Sequence, residues 1–166
     1  MIFKNLTKNF YISSLIIFVI FLLDRISKIY VINLASKNST SELFSSKFLN
    51  INLIWNEGIA FGLLSFDQSD LYNILTSIIA LIIVIVFFMI VKNNNIKRYP
   101  LLMIFGGAIG NLYDRIFFKA VPDFIDFHVG EFHWFIFNVA DIFISIGVIF
   151  MILLELIGSN KDNEKI

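Results

Sequence analysis

The sequence predicts an α-helical membrane protein with four transmembrane helices, and with a small β-sheet and a surface amphipathic segment on its outer face. Composition is the first observation: 58% of the 166 residues are hydrophobic, only 16% are charged, and the mean hydropathy is +0.82. Globular proteins are closer to about 45–50% apolar and about 25% charged. The second observation is that the apolar residues form four stretches, each near the roughly 20 residues that a membrane-spanning helix needs. We therefore expect one integral membrane domain over residues 1–166.

The four predicted spans cover residues 11–33, 71–91, 99–118 and 137–157. The second span carries no charge and is expected to face lipid or to pack against another helix. Basic residues flank the spans on one side of the membrane: Lys4, Lys8, Lys92, Lys97, Arg98, Lys161 and Lys165. Because cytoplasmic loops are rich in Lys and Arg, both termini and the middle loop are predicted to be cytoplasmic. The alternative of a cleaved signal peptide is disfavoured, since no Ala-x-Ala-like site follows the first apolar run.

This topology places residues 34–70 and 119–136 on the outer face. Residues 49–53 alternate apolar and polar side chains, which predicts a strand and hence a small sheet. Trp55 and Phe61 are typical of the aromatic belt at a membrane surface. Residues 119–136 are aromatic and amphipathic, and they are expected to lie on the membrane surface.

Asp141 is an ionisable residue near the outer end of the fourth span, where it follows Asn138 at i, i+3. A carboxylate inside a membrane segment is costly, so it indicates a functional site. A second acid, Asp123, follows the third span. Asp141 has no basic residue three or four positions away, so a structural ion pair explains it poorly. The two acids are therefore candidates for acid/base chemistry.

Three of the four spans carry polar stripes. Asn111, Asp114 and Arg115 share one helix face, and we interpret Asp114 and Arg115 as an internal ion pair. Asp24 and Lys28, at i, i+4, are interpreted in the same way. These stripes predict either an active site or a translocation route between the helices.

Glycines occur in two of the polar motifs. Gly106 and Gly110 match the small-xxx-small pattern that lets helices pack closely. Asn56 and Gly58 follow the predicted strand, where the glycine is expected to shape a turn.

Several other functions are disfavoured. His128 and His133 lack a third ligand at metal-binding spacing, and no His-Glu-x-x-His motif occurs, so no metal site is predicted. The chain has no cysteine for disulfide or thiolate chemistry. A formal net charge of zero gives no reason to expect nucleic acid as a partner.

Taken together in order, these motifs resemble the bacterial lipoprotein signal peptidase family, also called signal peptidase II. The resemblance extends over about residues 15–155, in which Pro122 stands where the family often has an aliphatic residue. The motifs that carry it are Asp24 and Lys28, Asn56-x-Gly58-x-Ala60-Phe61, Gly106-Gly107-Ala108-x-Gly110-Asn111-x-x-Asp114-Arg115, Val121-x-Asp123-Phe124 and Phe137-Asn138-x-Ala140-Asp141.

The resemblance implies an intramembrane aspartic endopeptidase whose catalytic acids are Asp123 and Asp141. Its substrate would be a diacylglyceryl-modified prolipoprotein, cut N-terminal to the lipidated Cys by activated water at the outer face of the bacterial plasma (inner) membrane. We expect membrane lipid as a partner, no cofactor, no nucleic acid and a monomer. The residues expected to bind substrate or support the acids are Asn56, Gly58, Asn111, Asp114, Arg115, Asn138, Asp24 and Lys28.

Two other functions remain open from the residues alone. Intramembrane Asp and Arg also mark ion pathways, which would suit a small transporter or proton-conducting subunit. Polar contacts between helices would also suit a non-enzymatic assembly protein.

Overall fold

The computed structural model describes residues 2–58 and 69–163, with side chains described over 9–58 and 71–158. Over these ranges the chain forms four helices and one four-stranded sheet. The helices are α1 (Ile2–Asn38), α2 (Ser69–Lys92), α3 (Arg98–Phe118) and α4 (Val139–Asn163). The strands are β1 (Glu42–Ser45), β2 (Leu49–Asn56), β3 (Val121–Val129) and β4 (Phe132–Phe137). Phe61, predicted in the aromatic belt, lies outside the described residues, as do Ile59 and Ala60.

Each predicted span corresponds to one of the four helices in the described ranges. Three of them are long and apolar enough to cross a membrane: Leu71–Lys92, Arg98–Phe118 and Val139–Gly158. α1 contains the predicted first span but extends beyond it at both ends, and its crossing of the membrane stays a prediction. α4 begins at Val139, two residues after the predicted start of the fourth span.

α3 is the central helix, since it packs against α1, α2 and α4. Its glycines make this packing possible. A Cβ on Gly106 would lie 3.1 Å from the side chain of Ile20 in α1, and one on Gly107 would lie 2.5 Å from the carbonyl oxygen of Ala140 in α4. A Cβ on Gly110 would lie 2.6 Å from a carboxylate oxygen of α1. Gly106 and Gly110 therefore act as the close-contact pair that the sequence predicts.

The sheet is antiparallel, with strand order β1-β2-β3-β4. β2 contains the predicted strand at residues 49–53. The prediction for residues 119–136 needs correction, because they form β3 and β4 of the same sheet instead of a separate surface segment. The two strands are joined by a turn in which Gly130 has a φ of +60°, a conformation that glycine adopts at little cost.

The sheet lies at one end of the helix bundle, where α1 and α3 end and α4 begins. The connection between α2 and α3 lies at the other end. This placement brings β2, β3 and the first turn of α4 next to one another, and these are the elements that carry the predicted acids.

Candidate active site

Asp123 is held at the sheet by its neighbour on β2. It pairs in register with Ile54, so Asn56, two residues further along β2, points to the same face of the sheet. The Asn56 amide Nδ2 donates to Asp123 Oδ2 at 2.9 Å, while the Asn56 Oδ1 accepts from the backbone N–H of Gly58 at 2.9 Å. The second bond fixes the amide with its N–H side toward the acid. Asp123 is only 4% exposed.

Asp141 lies in the first turn of α4, which begins with a reciprocal capping arrangement. Asn138 Oδ1 accepts from the backbone N–H of Asp141 at 3.2 Å, and Asp141 Oδ2 accepts from the backbone N–H of Asn138 at 3.1 Å. This is the geometry of a capping box, in which the residue before a helix and the third helical residue satisfy each other's backbone donors. The i, i+3 spacing of these residues thus reflects a helix start.

Asn138 also joins the two predicted acids. Its Nδ2 donates to Asp123 Oδ1 at 2.6 Å, so one amide side chain contacts Asp123 and the backbone of Asp141. Asn138 is fully buried. The predicted catalytic pair is therefore brought together around one residue, although the two acids come from a strand and a helix.

Asn111 of α3 supports Asp141 from the opposite side. Its Nδ2 donates to Asp141 Oδ1 at 2.8 Å, and its Oδ1 accepts from Lys28 Nζ at 2.8 Å. Since a lysine ammonium only donates hydrogen bonds, Lys28 fixes which side of the Asn111 amide faces Asp141.

A buried cluster of four charges lies beneath this pair, and its charges sum to zero. Asp114 accepts from Arg25 at 2.5 and 2.7 Å and from Lys28 at 2.7 Å. Asp24 pairs with Lys28 at 2.9 Å, as predicted, and with Arg25 at 2.7 Å. The predicted ion pair between Asp114 and Arg115 is wrong, because Asp114 faces α1 and is neutralised by Arg25 and Lys28.

Asp24 also ties the cluster to α4, since its Oδ1 accepts from the backbone N–H of Ala140 at 3.1 Å. The missing side chain of Gly110 leaves the space that this carboxylate occupies. Sequence reasoning missed Arg25, which donates to both acids of the cluster. Its place one residue after Asp24, in a helix turn with three charged residues, was the available signal.

Arg115 points away from Asp114 and toward the segment after β2. One guanidinium nitrogen, Nη2, donates to the carbonyl oxygen of Gly58, and the group lies 5.8 Å from the ring centroid of Tyr72. The other, Nη1, is buried and has no hydrogen-bond partner among the described residues. Arg115 therefore braces the Asn56–Gly58 segment that holds Asp123, and its Nη1 donor is unpaired within the described part of the chain.

The surroundings of Asp123 favour its protonated form more than those of an ordinary aspartate. Burial raises its pKa, and the negative charge of Asp141 raises it further. The donated hydrogen bonds from Asn56 and Asn138 act in the opposite direction. The balance raises the pKa of Asp123 from 3.8 to about 6.

An apolar cavity of about 760 Å³ opens beside the acids, and Asp141 forms part of its wall. This volume lies within the range of about 300–1,000 Å³ that is typical of ligand pockets. Its other lining residues are mostly aromatic or aliphatic: Phe48, Phe127, His128, Val129, Phe132, Trp134, Phe135, Phe137, Ile142, Ser145 and Ile146.

Known proteins share this arrangement of sequence and fold. Residues 16–157 match the family model described as signal peptidase (SPase) II. The chain is 55% identical over 159 residues to the lipoprotein signal peptidase of Pelagibacter ubique, which covers 95% of this chain and 96% of that protein. It is 43% identical over 137 residues to the lipoprotein signal peptidase of Aquifex aeolicus, covering 81% and 79%.

Solved structures show the same fold. A bacterial membrane enzyme determined by the in meso method at 2.3 Å superposes with a TM-score of 0.69 and 29% identity, covering 90% of each chain. A second, at 1.9 Å, superposes with a TM-score of 0.65 and 29% identity, covering 87% of this chain and 91% of that one.

Proposed function

Because the chain belongs to the signal peptidase II family, we propose that it is an aspartic endopeptidase that removes the signal peptide from diacylglyceryl-modified prolipoproteins. The cut falls N-terminal to the lipidated Cys, at the outer face of the plasma membrane. The observation that carries this proposal is the binding of Asp123 and Asp141 to the same buried residue, Asn138. Among the described residues, Asp141 is the one acid that also lines the apolar cavity.

The pair works by sharing one proton. Two carboxyl groups whose charges act on each other do not both ionise readily, so they titrate as a unit. Asp123 is the more buried and holds the proton, which it donates toward the oxygen of the scissile carbonyl. Asp141 is ionised and takes a proton from a water molecule, so that the water oxygen attacks the carbonyl carbon.

The products follow without a covalent enzyme intermediate. The attack gives a tetrahedral intermediate, and the proton taken up by Asp141 passes to the nitrogen of the leaving chain as the C–N bond breaks. Asp123 then recovers a proton from the collapsing hydroxyl group. Each acid thus ends in the protonation state in which it began.

Two cations set the geometry of the pair through amide side chains. Lys28 orients Asn111 toward Asp141. Arg115 holds Gly58, whose N–H orients the Asn56 amide that binds Asp123. Preorganised donors of this kind stabilise charge without having to move during the reaction. The Nη1 of Arg115, which has no hydrogen-bond partner among the described residues, is suited to bind a substrate carbonyl near the scissile bond.

The apolar cavity is suited to the lipid part of the substrate. Its aromatic walls lead to Asp141, so acyl chains that fill it would place the modified Cys beside the acids. Burial of apolar surface contributes about 25 cal/mol per Å². An acylated substrate is therefore expected to bind much more tightly than the same peptide without lipid.

Purified protein with a synthetic diacylated prolipoprotein peptide tests this proposal, with the cleavage position read by mass spectrometry. We expect one cut before the lipidated Cys, and its loss in Asp123→Asn and in Asp141→Asn. Glu131→Gln is the matched control, because it removes an exposed carboxylate from the turn between β3 and β4 and should cleave normally.

Two results would count against the proposal. Continued cleavage by either aspartate variant would remove that residue from the reaction. Equal cleavage of the acylated and non-acylated peptides would show that the cavity does not select the lipid.

A further inference from the structure

The hairpin of β3 and β4 carries three metal-ligating side chains in one place. Asp126 and His128 are two residues apart on β3, so they point to the same face of the sheet. His133 on β4 pairs directly with His128 across the strands. One ligand atom from each of the three lies within 4.8 Å of the other two.

The two histidines alone did not predict a metal site, and the cluster supplies the third ligand that they lacked. Their spacing of five residues offered no third ligand, whereas the strand conformation of residues 121–129 adds Asp126 to the same face. The two imidazole rings are stacked, with centroids 4.9 Å apart. Cross-strand neighbours of this kind are close enough for both rings to bind one ion.

Two members of the cluster, Asp126 and His133, are already in direct contact. His133 Nδ1 lies 2.9 Å from Asp126 Oδ2, which is a hydrogen-bonding distance. Tetrahedral ligands of one Zn²⁺ are about 3.4 Å apart, so an ion would have to separate these two atoms by only about 0.5 Å. Asp126 is only 2% exposed, and no Lys or Arg is paired with it among the described residues. A buried carboxylate usually requires a positive charge or a metal beside it.

His128 supplies the second, independent observation. Its Nδ1 is buried and has no hydrogen-bond partner among the described residues. Buried polar nitrogens in native proteins nearly always have a partner, so one without any calls for a physical explanation. A bound metal ion in the cluster provides it, since a neutral imidazole nitrogen is a good ligand for such ions.

We propose that Asp126, His128 and His133 form a binding site for a divalent transition-metal ion of the zinc class. Two imidazoles and one carboxylate match the ligand types that Zn²⁺ prefers, and a fourth position stays open to water or to another ligand. The ion would link β3 to β4 near the end of the hairpin. His128 also lines the apolar cavity, so the ion would stiffen one wall of it.

The site is distinct from the proposed acid pair. Asp126 lies on the same strand as Asp123, but its contacts are with His133 and, at 3.4 Å, with Asn50. The proposal concerns metal binding by the hairpin and needs no peptidase activity.

Zn²⁺ binding to the purified, metal-stripped full-length protein without a histidine tag provides the test. Titration calorimetry is expected to show one ion per chain, and Co²⁺ in place of Zn²⁺ is expected to give visible absorption bands from bound imidazole nitrogen. Asp126→Asn, His128→Gln and His133→Gln should each weaken Zn²⁺ binding by at least about tenfold. Glu131→Gln, in the same hairpin but outside the cluster, should bind Zn²⁺ normally.

His133→Gln is the decisive variant, because His133 is 49% exposed and its replacement should leave the fold intact. Helix content by circular dichroism checks folding for every variant. Binding of less than one ion, or binding that His133→Gln leaves unchanged, would overturn the proposal. Binding that survives Asp126→Asn alone would equally overturn it, since the histidine pair would then act without the carboxylate.

Discussion

The raised pKa of Asp123 predicts a specific pH dependence of stability. The unfolded chain loses this proton near pH 3.8, whereas the folded protein keeps it up to about pH 6. Between these values the folded state binds more protons, so the free energy of unfolding falls as the pH rises. At about 1.4 kcal/mol for each pH unit, the stability lost across this interval is about 3 kcal/mol.

Asp123→Asn isolates this effect, because asparagine has no proton to lose. Titrating groups away from the acid pair contribute equally to both proteins, so the difference between their unfolding free energies carries the signal of Asp123 and of its coupling to Asp141. We expect the variant to gain about 3 kcal/mol relative to the unchanged protein between about pH 3.5 and about pH 7. Any constant cost of the substitution, such as a lost hydrogen bond to Asn56 or Asn138, shifts the whole curve without changing this slope.

Equilibrium unfolding by sodium dodecyl sulfate in mixed micelles, measured by circular dichroism at a series of pH values, supplies the two curves. Asp141→Asn is the companion variant. The negative charge of Asp141 is the second cause of the raised pKa of Asp123. Removing that charge lowers the pKa of Asp123, so the free energy of unfolding should begin to level off at lower pH. Parallel curves for the unchanged protein and Asp123→Asn would refute the assignment of a raised pKa.

Two further substitutions test the packing beneath the acids. Asp114→Asn leaves two buried cations with a single carboxylate, so we expect a loss of about 3–5 kcal/mol in the free energy of unfolding together with partial loss of cleavage. A variant that is fully stable but inactive would instead give Asp114 a direct role in the reaction. Gly110→Ala places a methyl group 2.6 Å from an Asp24 oxygen, and a loss of about 1–3 kcal/mol is expected. Gly158→Ala is its control, because no atom of the described residues lies within 4 Å of a Cβ built there. Equal stability of the two variants would contradict the packing.

Much of the helical fold was predictable because it depends on local patterns. Apolar runs of about 20 residues located the helices, and the alternation at residues 49–53 located β2. The second outer segment was harder, since aromatic residues dominate it and they suit either a membrane surface or a strand. This segment pairs with β2, about 70 residues earlier in the chain. A local sequence pattern does not predict so distant a strand partner.

The site shows the same division between local and distant contacts. Asn138 and Asp141 could be recognised as a pair from spacing, and the Asn-x-x-Asp pattern before an apolar run could also have been recognised as a helix start. The partners of Asp114 could not be recognised from the sequence. Arg25 and Lys28 are 86–89 residues away from it, while the adjacent Arg115 offered a simpler but wrong partner.

The capping of α4 has a consequence for how the protein can be controlled. The hydrogen bonds that start this helix are the ones that place Asp141, and the same asparagine side chain holds Asp123. Folding of the helix end and alignment of the two carboxyls are consequently a single event. A folded form with misaligned carboxyls would have to break the hydrogen bonds at the start of α4. We therefore expect no inactive folded conformation of this kind. Any regulation of activity should act on access to the cavity.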